Sequence, residues 1–216
     1  MPKSASFPRH AASLILWRQR AGGDTEILMG LRHAGHRFMP GRLVFPGGRV
    51  DFADRIAPAA AEPKAETLAA LQRAAPPRLA RALAMAAARE LEEETGLTLA
   101  PPGLAAPALD VMDYVCRAVT PPFSPIRFNA RFLSAPAEAA RGTLAGCGEL
   151  ETLAWMTLEE AAGAALAPIT ACVLEQFSAI MALPPEARAA RPLVCYQGFD
   201  RALPERGPVA REAVRT

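Results

Sequence analysis

The stretch "RELEEETGL", residues 89–97, sets four glutamates within five positions and then stops at a glycine. On a helix each residue turns about 100°. Glu90, Glu93 and Glu94 therefore share one face at i, i+3 and i+4, and Glu92 points away. Ala84, Ala87 and Leu91 make a neighbouring apolar stripe that suits packing on a sheet. Like charges at this spacing repel, and the dipole disfavours anions in a helix's last turn. Both penalties vanish when the carboxylates hold a divalent cation, and hard oxygen ligands suit Mg2+ or Mn2+. Taken alone, the same glutamates fit a solvated helix end equally well.

The helix that carries them reads over 78–96, with Pro77 just before it and Gly96 as its C-terminal cap. Before it, "AASLILWR" (11–18) and "EILMGLR" (26–32) read as paired strands joined by a glycine turn. A third strand starts at Leu43 and is broken by Pro46-Gly47-Gly48. A helix is expected over 66–75, between Pro63 and Pro76. Residues 112–120, 127–134 and 149–157 read as strands, and 158–166 and 169–183 as helices. From Pro184 onward the chain reads as a tail that wraps the surface or pairs with another subunit, so a homodimer is a possible assembly.

The chain has 216 residues, 51% hydrophobic and 21% charged, which suits one globular domain with additions. A net charge of +2 makes no electrostatic case for nucleic acid. No stretch approaches the roughly 20 apolar residues that span a bilayer, and the N-terminus lacks the pattern of a signal peptide. The four cysteines, at 116, 147, 172 and 195, form no C-x-x-C zinc pattern. Their scatter fits a reducing compartment. The expectation is a cytoplasmic protein with neither a nucleic-acid nor a membrane partner.

"FPGG" followed by "RELEEETGL" resembles the signature of the Nudix hydrolases, G-x5-E-x7-R-E-U-x-E-E-x-G-U with U aliphatic. Arg89, Glu90, Leu91, Glu93, Glu94, Gly96 and Leu97 match its second half, and Gly48 matches the first. Forty residues lie between Gly48 and Arg89 where the pattern has thirteen, an insertion of 27. The signature's first glutamate is absent. Asp54 stands at the right distance after Gly48, whereas counting back from Arg89 reaches Arg81. The inserted segment together with "FMPGRLVFPGGRVDFAD" looks like the branch that includes coenzyme A diphosphatases.

The resemblance implies an α/β fold, the Nudix α/β/α sandwich with a mixed sheet. Residues 55–77 would be a helical insertion beside the cleft and 184–216 a tail of a single domain. It also implies metal-dependent hydrolysis of the diphosphate in a nucleotide-derived small molecule, first coenzyme A or an acyl-CoA. Alternatives are ADP-ribose or NADH-type dinucleotides, or a module that senses nucleotides without turnover.

By motif position Glu93 and Glu94 would be the principal ligands of Mg2+ or Mn2+. Glu90 would be a ligand or the general base, with Arg89 orienting it. A carbonyl at Gly47 or Gly48 would add an oxygen, and Glu149 a further carboxylate, with Glu151 second. In "RFNARF", Arg127, Asn129 and Arg131 face one side and Phe128, Ala130 and Phe132 the other. The aromatic side is expected in the core, and Arg127 and Arg131, with Arg32, are candidates to grip phosphate. His10, His33 and His36 form no metal constellation. Trp17 and Trp155 read as core.

Overall fold

The computed structural model describes residues 7–33, 35, 40–146, 149–198 and 201–205. Its elements are β1 (Arg9–Gln19), β2 (Thr25–Arg32), β3 (Leu43–Val44), β4 (Gly47–Arg49), α1 (Ala65–Gln72), α2 (Pro77–Thr95), β5 (Leu97–Thr98), β6 (Asp113–Val119), β7 (Phe128–Pro136), β8 (Arg141–Gly142), β9 (Leu150–Thr157), α3 (Leu158–Ala162), α4 (Pro168–Met181), α5 (Pro185–Arg188), β10 (Val194–Gln197) and β11 (Arg201–Pro204). Among the described residues one mixed sheet runs β11-β10-β6-β7-β1-β2-β3, with β4 added to β1 and β9 to β2. Its parallel pairs are β1 with β7 and β10 with β6. The small pair β5–β8 stands apart.

β1 shows why the sheet lies between helices. Ala12, Leu14 and Leu16 pack with α1 and α2, while Ile15 packs with α3 and α4. This is the two-residue period of a strand buried on both faces. The result is the expected α/β/α sandwich.

Local chemistry sets the helix ends. α2 opens with Pro77 in its first turn and closes at Gly96, which adopts a left-handed conformation (φ 71°). The Gly96 N–H donates to the Glu92 carbonyl at 2.9 Å. α3 starts with a capping box in which Thr157 and Glu160 exchange side-chain and backbone hydrogen bonds.

Two segments differ from expectation. Residues 55–77 contain the helix α1, which packs on α2 and β6, and none of them lines the cleft. Leu71 is in the core, and the Thr67 hydroxyl donates to the Met112 carbonyl at 2.8 Å. The tail after Pro184 does not merely wrap the surface, because β10 and β11 extend the central sheet beyond β6. Its short run "VCYQ" acquires strand character from pairing with β6, a cause that a local reading of the sequence lacks. No helix among the described residues is long and apolar enough to cross a membrane.

Candidate active site

The break at Pro46-Gly47-Gly48 brings backbone against the last two turns of α2. The Gly47 N–H donates to Glu94 Oε2 at 2.8 Å. A Cβ on Gly48 would lie 2.3 Å from Glu90 Oε1, so only glycine lets the chain pass this close to the carboxylate. The three glutamates on the shared helix face differ in exposure: Glu94 is 2% exposed, Glu90 half-buried and Glu93 open to solvent. Glu92 turns away as expected and accepts from the Thr98 hydroxyl.

Arg89 uses every guanidinium nitrogen. Nε and Nη2 grip Asp54 at 2.9 and 3.1 Å, and Nη2 also donates to the Arg49 carbonyl at 2.9 Å. Nη1 bridges Glu90 Oε1 at 2.9 Å and Glu93 Oε2 at 2.8 Å. Asp54 is 1% exposed and takes a further hydrogen bond from its own turn, the Asp51 N–H. It therefore stands behind Arg89 and clamps it. Burial alone would lower the pKa of Arg89, but hydrogen bonding to Asp54 and the charge of Glu90 outweigh it and raise it.

Both inner glutamates are harder to ionise than usual. Burial raises Glu90, against the lowering effect of Arg89. Burial pushes Glu94 up to about 8, against the Gly47 hydrogen bond, and the charge of Glu90 adds to the rise.

Among the described residues no three His, Cys, Asp or Glu side chains stand ready-made around a cation. Arg89 engages Glu90 and Glu93 instead. Even so, the donor set fits a hard divalent cation, because Glu94 Oε1 is buried without a hydrogen-bond partner.

Gly47, Gly48, Arg89, Glu90 and Glu93 line a cleft of about 450 Å³, with Glu94 and Asp54 buried behind them. Arg32 and Glu149, 3.2 Å apart, both line it, with Glu149 reaching it from just before β9. Its apolar end has Val44, Phe45, Val119, Phe128, Phe132 and Ile169 among its walls. Phe45 and Phe132 meet edge to face with ring centroids 6.4 Å apart.

β7 is buried on both faces: Phe132 is in the core as expected, with Ala130 packed against it, but the opposite side is buried as well. Phe128, Ala130 and Phe132 face the cleft. Arg131 is turned to the opposite side and is 1% exposed, donating to the Asn129 carbonyl at 2.9 Å and the Ala74 carbonyl at 2.6 Å. It is thus a structural arginine that ties the chain before α2 to β7. Arg127 donates to the Thr120 carbonyl at 3.3 Å and is not among the cleft walls. Alternation tells which residues share a face, but not which face meets a cavity.

Glu151 lies 3.4 Å from an exposed His33 and away from the cleft. His10 contacts Arg131 Nη1 at 3.2 Å. His36 and Cys147 lie outside the described residues. Trp17 and Trp155 are only partly buried, and the Arg18 guanidinium stacks 4.2 Å above the Trp155 ring.

Residues 80–177 match the family model described as NUDIX domain. The match begins inside α2, so it takes in the glutamate half of the motif and leaves Gly48 outside. Among curated proteins, none matches the chain. Solved structures do. A NUDIX hydrolase from Alicyclobacillus acidocaldarius is 24% identical with a TM-score of 0.65, over 91% of this chain and 99% of the other. The NUDIX domain of Shewanella oneidensis NrtR, complexed with ADP ribose, is 15% identical with a TM-score of 0.52, over 84% and 93%. The Nudix hydrolase RenU from M. smegmatis is 19% identical with a TM-score of 0.51, over 83% and 90%. Residues 80–177 are thus similar to a NUDIX domain, and the chain has the fold seen in Nudix hydrolase structures.

Proposed function

We propose that this chain hydrolyses the diphosphate bond of a nucleoside diphosphate derivative with the help of Mg2+ or Mn2+. The NUDIX domain and the Nudix hydrolase neighbours support a hydrolase acting on pyrophosphate bonds. The observation that carries the metal is the buried, unpartnered Glu94 Oε1, whose carboxylate accepts from the Gly47 N–H just behind the cleft wall that Gly47, Gly48, Glu90 and Glu93 form. Glu93, Glu94, Glu90, the carbonyl at Gly47 or Gly48, and Glu149 would hold the cation. A bound divalent cation would neutralise the diphosphate and lower the pKa of the attacking water.

The chain's own residues account for the rest. Arg89 fixes Glu90 and Glu93 against helix rotation, itself held by Asp54. Glu90, with its pKa raised mainly by burial, is placed to accept the proton of the attacking water. Arg32 offers a cation to the diphosphate from the cleft wall. The apolar end receives the organic part of the substrate.

Coenzyme A or an acyl-CoA is the first substrate to test, because "FMPGRLVFPGGRVDFAD" resembles that branch of the family. ADP-ribose is the second, since the Shewanella NUDIX domain, of similar fold, was crystallised with it.

The test is a screen of coenzyme A, acyl-CoAs, ADP-ribose, NADH and diadenosine polyphosphates with Mg2+ and Mn2+. Release of 3′,5′-ADP and phosphopantetheine would establish the coenzyme A reading. If joint Glu93→Gln and Glu94→Gln substitution left hydrolysis of every nucleotide unchanged, the mechanism would be wrong. Mn2+ binding without turnover of any substrate would point to a sensing module.

A further inference from the structure

The C-terminal hairpin of β10 and β11 reaches the cleft. β10 pairs in parallel with β6, setting Tyr196 beside Ala118 and Gln197 beside Val119. Ala118 and Val119 line the apolar end, and Gly198 lines it too, donating its N–H to the Val119 carbonyl at 3.1 Å. Gly198 has φ 89°, and a Cβ there would find no atom nearer than Pro121 Cγ at 4.0 Å. Backbone without a side chain therefore faces the space where the organic part of a substrate would lie.

Two four-residue strands do not hold such a wall by themselves. Glu205, just after β11 and 4% exposed, supplies the anchor. Its carboxylate accepts a hydrogen bond from the Tyr114 hydroxyl and pairs with Arg117 Nε at 2.7 Å, and both partners sit on β6. Its backbone N–H donates to the Leu193 carbonyl at 2.8 Å, and its carbonyl accepts from Arg73 Nη2 at 3.4 Å. On the other face of the sheet, the Tyr196 hydroxyl donates to the Cys172 carbonyl of α4 at 3.1 Å. α4 brings Ile169 and Thr170 to the same cleft. A buried ion pair stabilises weakly against an apolar substitute, but it fixes an arrangement, and removing one partner strands the other charge.

We propose that this hairpin is a substrate-contacting wall of the cleft and that Glu205 is the positioning residue that sets it. The proposal rests on the hydrolase reading above for its kinetic consequence. Glu205 does not line the cleft, and its partners are Tyr114, Arg117, Leu193 and Arg73 rather than Arg89 or the glutamates of α2. It therefore governs recognition of the organic group and leaves the metal and the reacting diphosphate alone.

The test compares the full chain with Glu205→Ala, Glu205→Gln and Tyr114→Phe, the last keeping the ring packing if the others fold poorly. With the best-hydrolysed substrate of the screen, Glu205→Ala is expected to raise KM at least fivefold with kcat within twofold. Glu205→Gln should recover part of that loss, and Mn2+ affinity by calorimetry should be unchanged. A fall in kcat with KM unchanged, a parallel loss of Mn2+ binding, or no kinetic change overturns the proposal. If the unaltered protein hydrolyses nothing, the hydrolase reading fails separately, and amide hydrogen exchange decides this one. At least tenfold faster exchange at Gly198, with β7 amides unaffected, supports the anchoring role, and unchanged exchange overturns it.

Discussion

Asp54 and Arg89, on either side of the inserted segment, form a two-point ion pair with Nε–Oδ1 at 2.9 Å and Nη2–Oδ2 at 3.1 Å. Asp54 is buried and touches no cleft space, so its effect on chemistry must pass through Arg89 to Glu90 and Glu93. Asp54→Asn keeps the shape but removes the charge that holds the guanidinium. Partners one step behind a metal ligand typically account for about 10- to 100-fold in metal affinity or activity. A fall of that size in kcat/KM, with weaker Mn2+ binding by calorimetry, is expected. Unchanged kinetics in a folded variant would show that the Arg49 carbonyl and the glutamates suffice to place Arg89.

Glu94 makes the metal-free protein sensitive to pH. Its folded pKa of about 8 lies above the ordinary carboxylate value. Across the interval between them the folded state binds more protons than the unfolded state, so stability falls as pH rises through it. In excess EDTA the melting temperature should drop from about pH 5 to pH 8 by more in the unaltered protein than in Glu94→Gln. Adding Mn2+ at pH 8 should raise it in the former and much less in the latter. Parallel melting curves in EDTA would mean that the Glu94 carboxylate is not penalised by its burial.

Much of this site was legible in the sequence because its parts are local. Helical spacing alone put Glu90, Glu93 and Glu94 together, and the count from Gly48 reached Asp54 although the insertion hid it from the other direction. What stayed hidden depended on tertiary placement. The aromatic face of β7 was assigned to the core, but the burial of its arginine face was not foreseen, since a buried arginine with backbone carbonyl partners looks, in sequence, like an exposed one. The β10–β11 hairpin and the Glu205 anchor needed β6 as a template. Nothing within Val194–Gln197 announces that partner.

The two glycines of the strand break should respond differently to alanine. A Cβ at Gly48 meets the Glu90 carboxylate, the far end of a flexible side chain. A Cβ at Gly47 meets Ser13 Oγ at 2.2 Å and the Ala12 carbonyl at 2.6 Å, and that backbone belongs to a central strand. Gly48→Ala should therefore fold nearly normally and lose kcat by displacing Glu90. Gly47→Ala should lower the melting temperature, because overpacking a rigid neighbour costs about 1–3 kcal/mol. Thermal melts and single-substrate kinetics on both variants separate the two effects, and equal melting temperatures would contradict the assignment.

Arg131 should matter for stability and not for substrate. Burial, helped by the nearby charge of Arg117, lowers its pKa to about 10, and its hydrogen-bond acceptors include the Asn129 and Ala74 carbonyls. Arg131→Met fills much of the space and removes the charge, but it leaves those carbonyls without this donor. A loss of about 1–3 kcal/mol follows for a buried polar group left unsatisfied. In a chain of this length that lowers the melting temperature by roughly 2–12 °C. KM for the best substrate should stay within twofold, measured at a temperature where the variant is folded. A large rise in KM with little loss of stability would return Arg131 to the phosphate-binding role that the alternation of "RFNARF" first suggested.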